Sequence, residues 1–195
     1  MSTSSETLKG KTVAIIAADG VEQVEFERPR DALEAAGATW HLISPGTEPI
    51  QAMNGDIEPG DTFTPDKAIA DVSPADYDAV VLPGGTVNPD KLRVEPDVIA
   101  FLQAIAKDGK IIAAICHGPW TLVEADLVRG RTLTSFPSIR TDIRNAGGEV
   151  VDEEVVVDQG LVTSRNPDDL DAFCAKLVEE IEEGEHRVAP EGATA

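Results

Sequence analysis

An α/β domain with a mainly parallel sheet is what this chain predicts, and two observations carry that reading. Continuous apolar runs, Thr12–Ala18 (TVAIIAA), Tyr77–Leu82 (YDAVVL) and Ile111–Ile115, lack in/out alternation, as strands covered on both faces do. Segments of helical periodicity alternate with them, so each strand is expected to feed a helix that packs back onto the sheet. The chain has 195 residues, enough for one such domain and short for two. The expected division is a flexible stretch over 1–11, a single domain over 12–183 and a disordered tail over 184–195.

The elements follow in order. After the first strand, Val21–Gly37 reads as a helix with Val24, Leu33 and Ala36 on one face, Gly37 at its C-cap and a kink at Pro29. Thr39–Ser44 is a second strand. Residues 45–75, rich in Gly, Pro and Asp, read as a hairpin-like excursion with a loop. The third strand ends in Pro83-Gly84-Gly85, and Asn88-Pro89-Asp90 is read as loop. Pro96–Lys107 is a helix closed by Gly109, and Lys110–Cys116 a strand followed by a helix over Trp120–Ala125. Arg131–Ser135 reads as a short strand and Ser138–Ala146 as a helix ending in Gly147-Gly148. Glu154–Val157 and Gly160–Ser164 form a hairpin around Asp158-Gln159-Gly160, and Asp168–Glu183 is the closing helix.

Composition narrows the partners. Sixteen Lys+Arg against 36 Asp+Glu give a formal net charge of −20, a surface that repels nucleic acid and anionic lipid. No apolar run reaches the roughly 18 residues that span a bilayer. The start, MSTSSETLKGK, lacks the apolar core of a secretory signal, so a cytoplasmic location is expected. Two cysteines, Cys116 and Cys174, are read as free thiols in a reducing compartment. No Cys/His cluster has metal-ligand spacing, and no Gly-rich nucleotide pattern is present, so neither a metal nor another cofactor is expected.

The chemistry is expected at Cys116. It ends the buried run of KIIAAICHGP and is followed by His117, Gly118 and a helix, which places a sulfur on a sharp strand-to-helix corner. A helix start next to it favours the thiolate, so a thiol more acidic than a free one is expected. His117 alone among the three histidines is placed to serve that sulfur, since His41 lies in a strand and His186 in the tail. Glu22 begins the first helix at the same sheet edge; a protonated carboxyl there would hydrogen-bond the thiol. Glu25, one turn on, either shares that face or stands in solvent. Gly84 and Gly85 offer bare N–H groups for a developing oxyanion. Cys174 lies among Leu170, Phe173 and Leu177 and is read as core.

Taken together, AADGVEQVE (17–25), VVLPGG (80–85), NPDKLR (88–93), AAICHGP (113–119), LVRGRTLTSFPSIRTDIRNAG (127–147) and VVDEEVVVDQGLVTSRNPDDL (150–170) resemble the ThiJ/PfpI superfamily, and within it the PfpI-type intracellular cysteine peptidases. The resemblance implies a flavodoxin-like three-layer sandwich of the class I glutamine amidotransferase type. It implies Cys116 as nucleophile, His117 as its partner, Glu22 as the acid that tunes the sulfur, and Gly85 with the His117 backbone as oxyanion donors. Asp90 falls where a neighbouring subunit's acid completes the site, so a homodimer or higher homo-oligomer is implied. The late His and Glu of true glutamine amidotransferases are missing; Arg165-Asn166 stands there. Implied activities are peptide hydrolysis, deglycation and hydration of 2-oxoaldehydes, on small carbonyl compounds, glycated proteins or peptides, in stress protection. The alternative is a redox-responsive or chaperone-like protein that works through oxidation of Cys116.

Overall fold

A computed structural model describes residues 6–184. The elements in chain order are β1 (Thr12–Ile16), β2 (Val21–Glu22), α1 (Gln23–Ala35), β3 (Thr39–Ser44), β4 (Ile50–Asn54), β5 (Glu58–Phe63), β6 (Lys67–Ala68), β7 (Ala79–Leu82), α2 (Val87–Leu92), α3 (Pro96–Lys107), β8 (Ile111–Ile115), α4 (Pro119–Glu124), β9 (Thr132–Leu133), α5 (Arg140–Asn145), β10 (Glu149–Val150), β11 (Val155–Asp158), β12 (Leu161–Ser164) and α6 (Leu170–Glu183). Seven strands form the central sheet in the order β11-β12-β8-β7-β1-β3-β6. All its pairings are parallel except that of β11 with β12, which close as a hairpin. The excursion after β3 pairs β4 with β5 antiparallel and adds β2 to form a small second sheet.

The two faces of the sheet follow from the period of two along each strand. Val13, Ile15, Ala79, Val81, Ile111, Ala113 and Ile115 face α1 and α6, where Phe26, Leu33, Phe173 and Leu177 meet them. Ala14, Ile16, Val80, Leu82, Ile112 and Ala114 face α3, α4 and α5, against Phe101, Leu102, Ile105, Leu122 and Ile143. A sheet covered on both faces needs apolar residues at every position, which is why these strands read as unbroken runs. The architecture is thus the expected three-layer α/β sandwich with a mainly parallel sheet.

Several local expectations are corrected. The first helix starts at Gln23, because Val21 and Glu22 pair with Ala52 and Met53 of β4 before the helix begins. Its buried stripe is Glu25, Phe26, Pro29 and Leu33, one residue away from the expected Val24 face, and the helix continues through Pro29. The N-terminal stretch is not loose from residue 6 onward: Leu8 is fully buried, and its N–H donates to the Ala36 carbonyl at 2.9 Å. Asp90 lies in the first turn of the helix α2 rather than in a loop. The expected tail over 184–195 falls, apart from Gly184, outside the described residues. Among the described residues, no helix is long and apolar enough to cross a membrane.

β1 pairs with β3 on one side and β7 on the other, so the chain reverses direction across the sheet at β1. Ligands bind at the carboxyl ends of the strands beside such a reversal in open sheets of this kind, and the loops leaving β1 and β7 meet there. β8 lies beside β7, which brings Cys116 to that same edge.

Candidate active site

Cys116 is the first residue after β8 and has φ +62°, in the left-handed region that residues with a Cβ avoid at a cost of about 1–2 kcal/mol. The surroundings hold it there. Its N–H donates to the Ser164 carbonyl at 3.1 Å and its carbonyl accepts from the Phe136 N–H at 2.9 Å. Both neighbours come from later segments, so the corner is fixed by tertiary structure. The residue is 6% exposed.

Glu25, not Glu22, is the carboxyl at the sulfur. Glu25 is fully buried in the first turn of α1 and its Oε2 accepts the Gly84 N–H at 2.8 Å, so of the two expected oxyanion donors that N–H is already committed. Its Oε1 has no hydrogen-bond partner among the described residues, and Oε2 and the Cys116 Cβ lie against the same Gly84 backbone. Glu22 precedes the helix and turns the other way, and its carboxylate accepts the N–H groups of Gly55 (3.0 Å) and Asp56 (3.3 Å) at the β4–β5 tip. The two-residue strand β2 causes the switch, since it delays the helix until Gln23 and leaves position 25 on the inward face. Gly84 packs so closely here that a Cβ would stand 2.6 Å from Glu25 Oε2 and 2.7 Å from Cys116 Cβ. At Gly85, φ is +78° and a Cβ would stand 2.3 Å from the Gly20 carbonyl oxygen, so both glycines are required by space.

His117 brings Nδ1 to 3.2 Å from Cys116 Sγ, and its Nε2 lies 2.9 Å from Ser138 Oγ. Phe136 stacks on the ring at a centroid distance of 4.5 Å. With the ring proton on Nε2, Ser138 accepts it and the Nδ1 lone pair faces the thiol, as a base requires. Burial holds the imidazole below its ordinary pKa, opposed by the charge of Asp56, so the ring is neutral at pH 7. Asp90 is exposed on α2, and among the described residues it makes no hydrogen bond or ion pair within the chain.

Burial pushes Glu25 up to about 8, against the Gly84 and Cys116 hydrogen bonds. Burial likewise pushes the thiol up, and a charged Glu25 pushes it further, while the N–H groups of Gly85 and His117 pull it down. At neutral pH the carboxyl is therefore protonated. Its repulsion of the sulfur is then absent, and its O–H can donate to Sγ. The two groups titrate as one coupled pair, and burial holds the resting thiol above its ordinary pKa, against the acidic thiol that the strand-to-helix corner predicts. The helix after the corner, α4, has only six residues, so its dipole is a small contributor beside these direct donors.

Three contributors escaped the sequence. Ser138 sits 21 positions beyond its histidine in a segment read as a helix start. Asn88 is fully buried; it accepts the Ala18 N–H at 2.7 Å and donates to the Pro83 and Gly84 carbonyls at 2.9 and 3.0 Å, which ties the loop after β1 to the glycine loop. An asparagine beside a Pro-Gly-Gly turn was the available signal. Glu25 was in view, and only the late helix start hid its direction. Cys174 is buried in the core on α6, as expected.

The sequence profile of the DJ-1/PfpI family matches residues 11–180. The chain belongs to this family. Similar proteins include an uncharacterized protein of Staphylococcus epidermidis, 42% identical over 176 residues, spanning 88% of this chain and 98% of that protein. Among solved structures, a two-domain Anabaena variabilis protein with DJ-1/ThiJ/PfpI-like and ferritin-like domains superposes with a TM-score of 0.83 at 34% identity, over 95% of this chain. The chain spans about half (52%) of that longer protein. Drosophila melanogaster DJ-1beta gives a TM-score of 0.78 at 31% identity, over 89% of this chain and 94% of its own. The flavodoxin-like arrangement of the DJ-1/PfpI fold is shared throughout.

Proposed function

We propose that this protein is a cysteine-dependent enzyme that adds water to small 2-oxoaldehydes through Cys116. The observation that carries the reading is the convergence on one sulfur of a protonation-ready carboxyl (Glu25), an imidazole nitrogen at 3.2 Å (His117) and the Gly85 N–H. Its narrow exposure supports a small carbonyl compound over a peptide segment as the group that reaches it. Deglycation and peptide hydrolysis would use the same thiolate on larger substrates.

In this reading the thiolate attacks the aldehyde carbon and forms a carbon–sulfur bond, while the carbonyl oxygen becomes an alkoxide held by the Gly85 N–H. The proton on the former aldehyde carbon passes by way of His117 to the adjacent carbonyl carbon, which leaves a thioester beside a hydroxyl group. Water then attacks the thioester, the carbon–sulfur bond breaks, and a 2-hydroxy acid departs. The sum is aldehyde plus water giving hydroxy acid, with no external oxidant or reductant. Ser138 keeps the His117 ring oriented within one chain. Asp90 would meet His117 only from a second copy, in the homo-oligomer that the family resemblance suggests. A place in stress protection belongs to the same proposal.

The test is conversion of methylglyoxal to lactate by the purified protein. Turnover is expected for the wild type and its loss, by at least about 1000-fold, for Cys116→Ser. Stoichiometric oxidation of Cys116 by peroxide without aldehyde turnover would instead favour the redox-responsive alternative.

A further inference from the structure

The tip between β4 and β5 is strapped over the mouth of the site by two carboxylates in series. Glu22 accepts the tip N–H groups of Gly55 and Asp56. Asp56, held at φ +67°, accepts the Thr86 N–H at 2.6 Å and the Thr86 Oγ1–H at 2.9 Å. Thr86 directly follows Gly85, whose N–H faces the sulfur. A carboxylate is thus fixed beside the oxyanion loop. It forms no ion pair among the described residues. The basic side chains of the adjoining helix are committed elsewhere: Lys91 to Asp19 at 2.9 Å, and Arg93 to Glu124 at 3.3 Å and the face of Trp120. The charge of Asp56 is felt by both Glu25 and His117.

We propose that Asp56 is a specificity-determining residue that sets the charge of the compound admitted to Cys116, favouring neutral or cationic carbonyl compounds, including adducts on basic side chains, over those that bear a carboxylate. This rests on Cys116 being the reactive group. An anion that approaches the sulfur must pass an exposed carboxylate that no cation among the described residues neutralises, and that repulsion acts over the roughly 8–10 Å screening length of physiological salt. A cation gains from the same contact.

The experiment measures modification of Cys116 in the full chain by three methanethiosulfonates of similar size, carrying a trimethylammonium, no charge or a sulfonate, with Cys116 followed by peptide mass. The neutral reagent is the reference for the other two. The wild type is expected to favour the cationic over the anionic reagent by on the order of tenfold or more. Asp56→Asn should reduce that ratio at least threefold; asparagine suits the left-handed position and keeps an oxygen for the Thr86 N–H. Asp108→Asn, beyond the C-terminus of α3 at the opposite end of the sheet, should leave the ratio unchanged. An unaltered ratio in Asp56→Asn, or an equal change in Asp108→Asn, overturns the assignment. Turnover is measured in parallel on methylglyoxal and on glyoxylate, and Asp56→Asn should raise kcat/KM for the anionic aldehyde relative to the neutral one. Absence of turnover on both aldehydes sinks the enzymatic reading, while the reagent ratios still decide the role of Asp56.

Discussion

Glu22 and Glu25 are three positions apart on the chain and face opposite tasks. One struts the hairpin tip from a short strand, and the other lies buried against the sulfur with its pKa raised to about 8. The residue types at the site were legible in the sequence because a cysteine at a strand end, a histidine next to it and paired glycines are local patterns. Which carboxyl turns inward depended on where the helix begins, and that is set by pairing with β4, 31 residues away. Ser138 was hidden for a similar reason, since its contact with His117 exists only after the chain folds back. That contact has a consequence for rate. Ser138→Ala should lower kcat about tenfold with KM little changed, and Ser138→Thr should restore most of it, as measured by steady-state kinetics across pH. A purely structural role would lower thermal stability in Ser138→Ala and leave the pH profile of kcat in place.

The glycine loop after β7 is the element on which the site depends most. Gly85 has φ +78° and faces the Gly20 carbonyl, so the loops after β1 and β7 touch through bare backbone. Asn88 bonds both loops and fixes their spacing. Gly85→Ala should cost about 1–3 kcal/mol of stability in urea unfolding and displace the N–H that faces the sulfur, with aldehyde turnover falling about 100-fold or more. Among the long helices, α3 begins and ends where its apolar spacing, Pro96 and Gly109 place it. The two-residue strands β2, β6 and β10 carry no periodic signal, because their pairing is supplied by partners distant in sequence, whereas β9 falls within the short strand expected over Arg131–Ser135. The six-residue helix α2 was read as loop because Pro and Asp are common to turns and to first helical turns alike.

At the scale of the whole molecule, a doubly covered sheet explains why the fold was legible. Seven strands with apolar residues on both faces require unbroken apolar runs and helices between them, and both are visible without any tertiary information. The same topology sets the ends of β1, β7 and β8 side by side, so a buried acid from the helix after the first, the bare Gly85 N–H from the loop after the second and a sulfur from the corner after the third meet in a site sheltered from water. Burial there raises Glu25, and a protonated Glu25 removes the charge that opposes ionisation of the sulfur. The most direct measurement is the rate of Cys116 alkylation by iodoacetamide against pH, in the wild type and in Glu25→Gln. The midpoint should move upward in Glu25→Gln, because an amide N–H donates more weakly to a thiolate than a carboxylic O–H does. A midpoint that stays in place or moves downward in Glu25→Gln would show Glu25 acting as an anion that opposes the thiolate, and a protonated Glu25 that donates to the sulfur would be wrong.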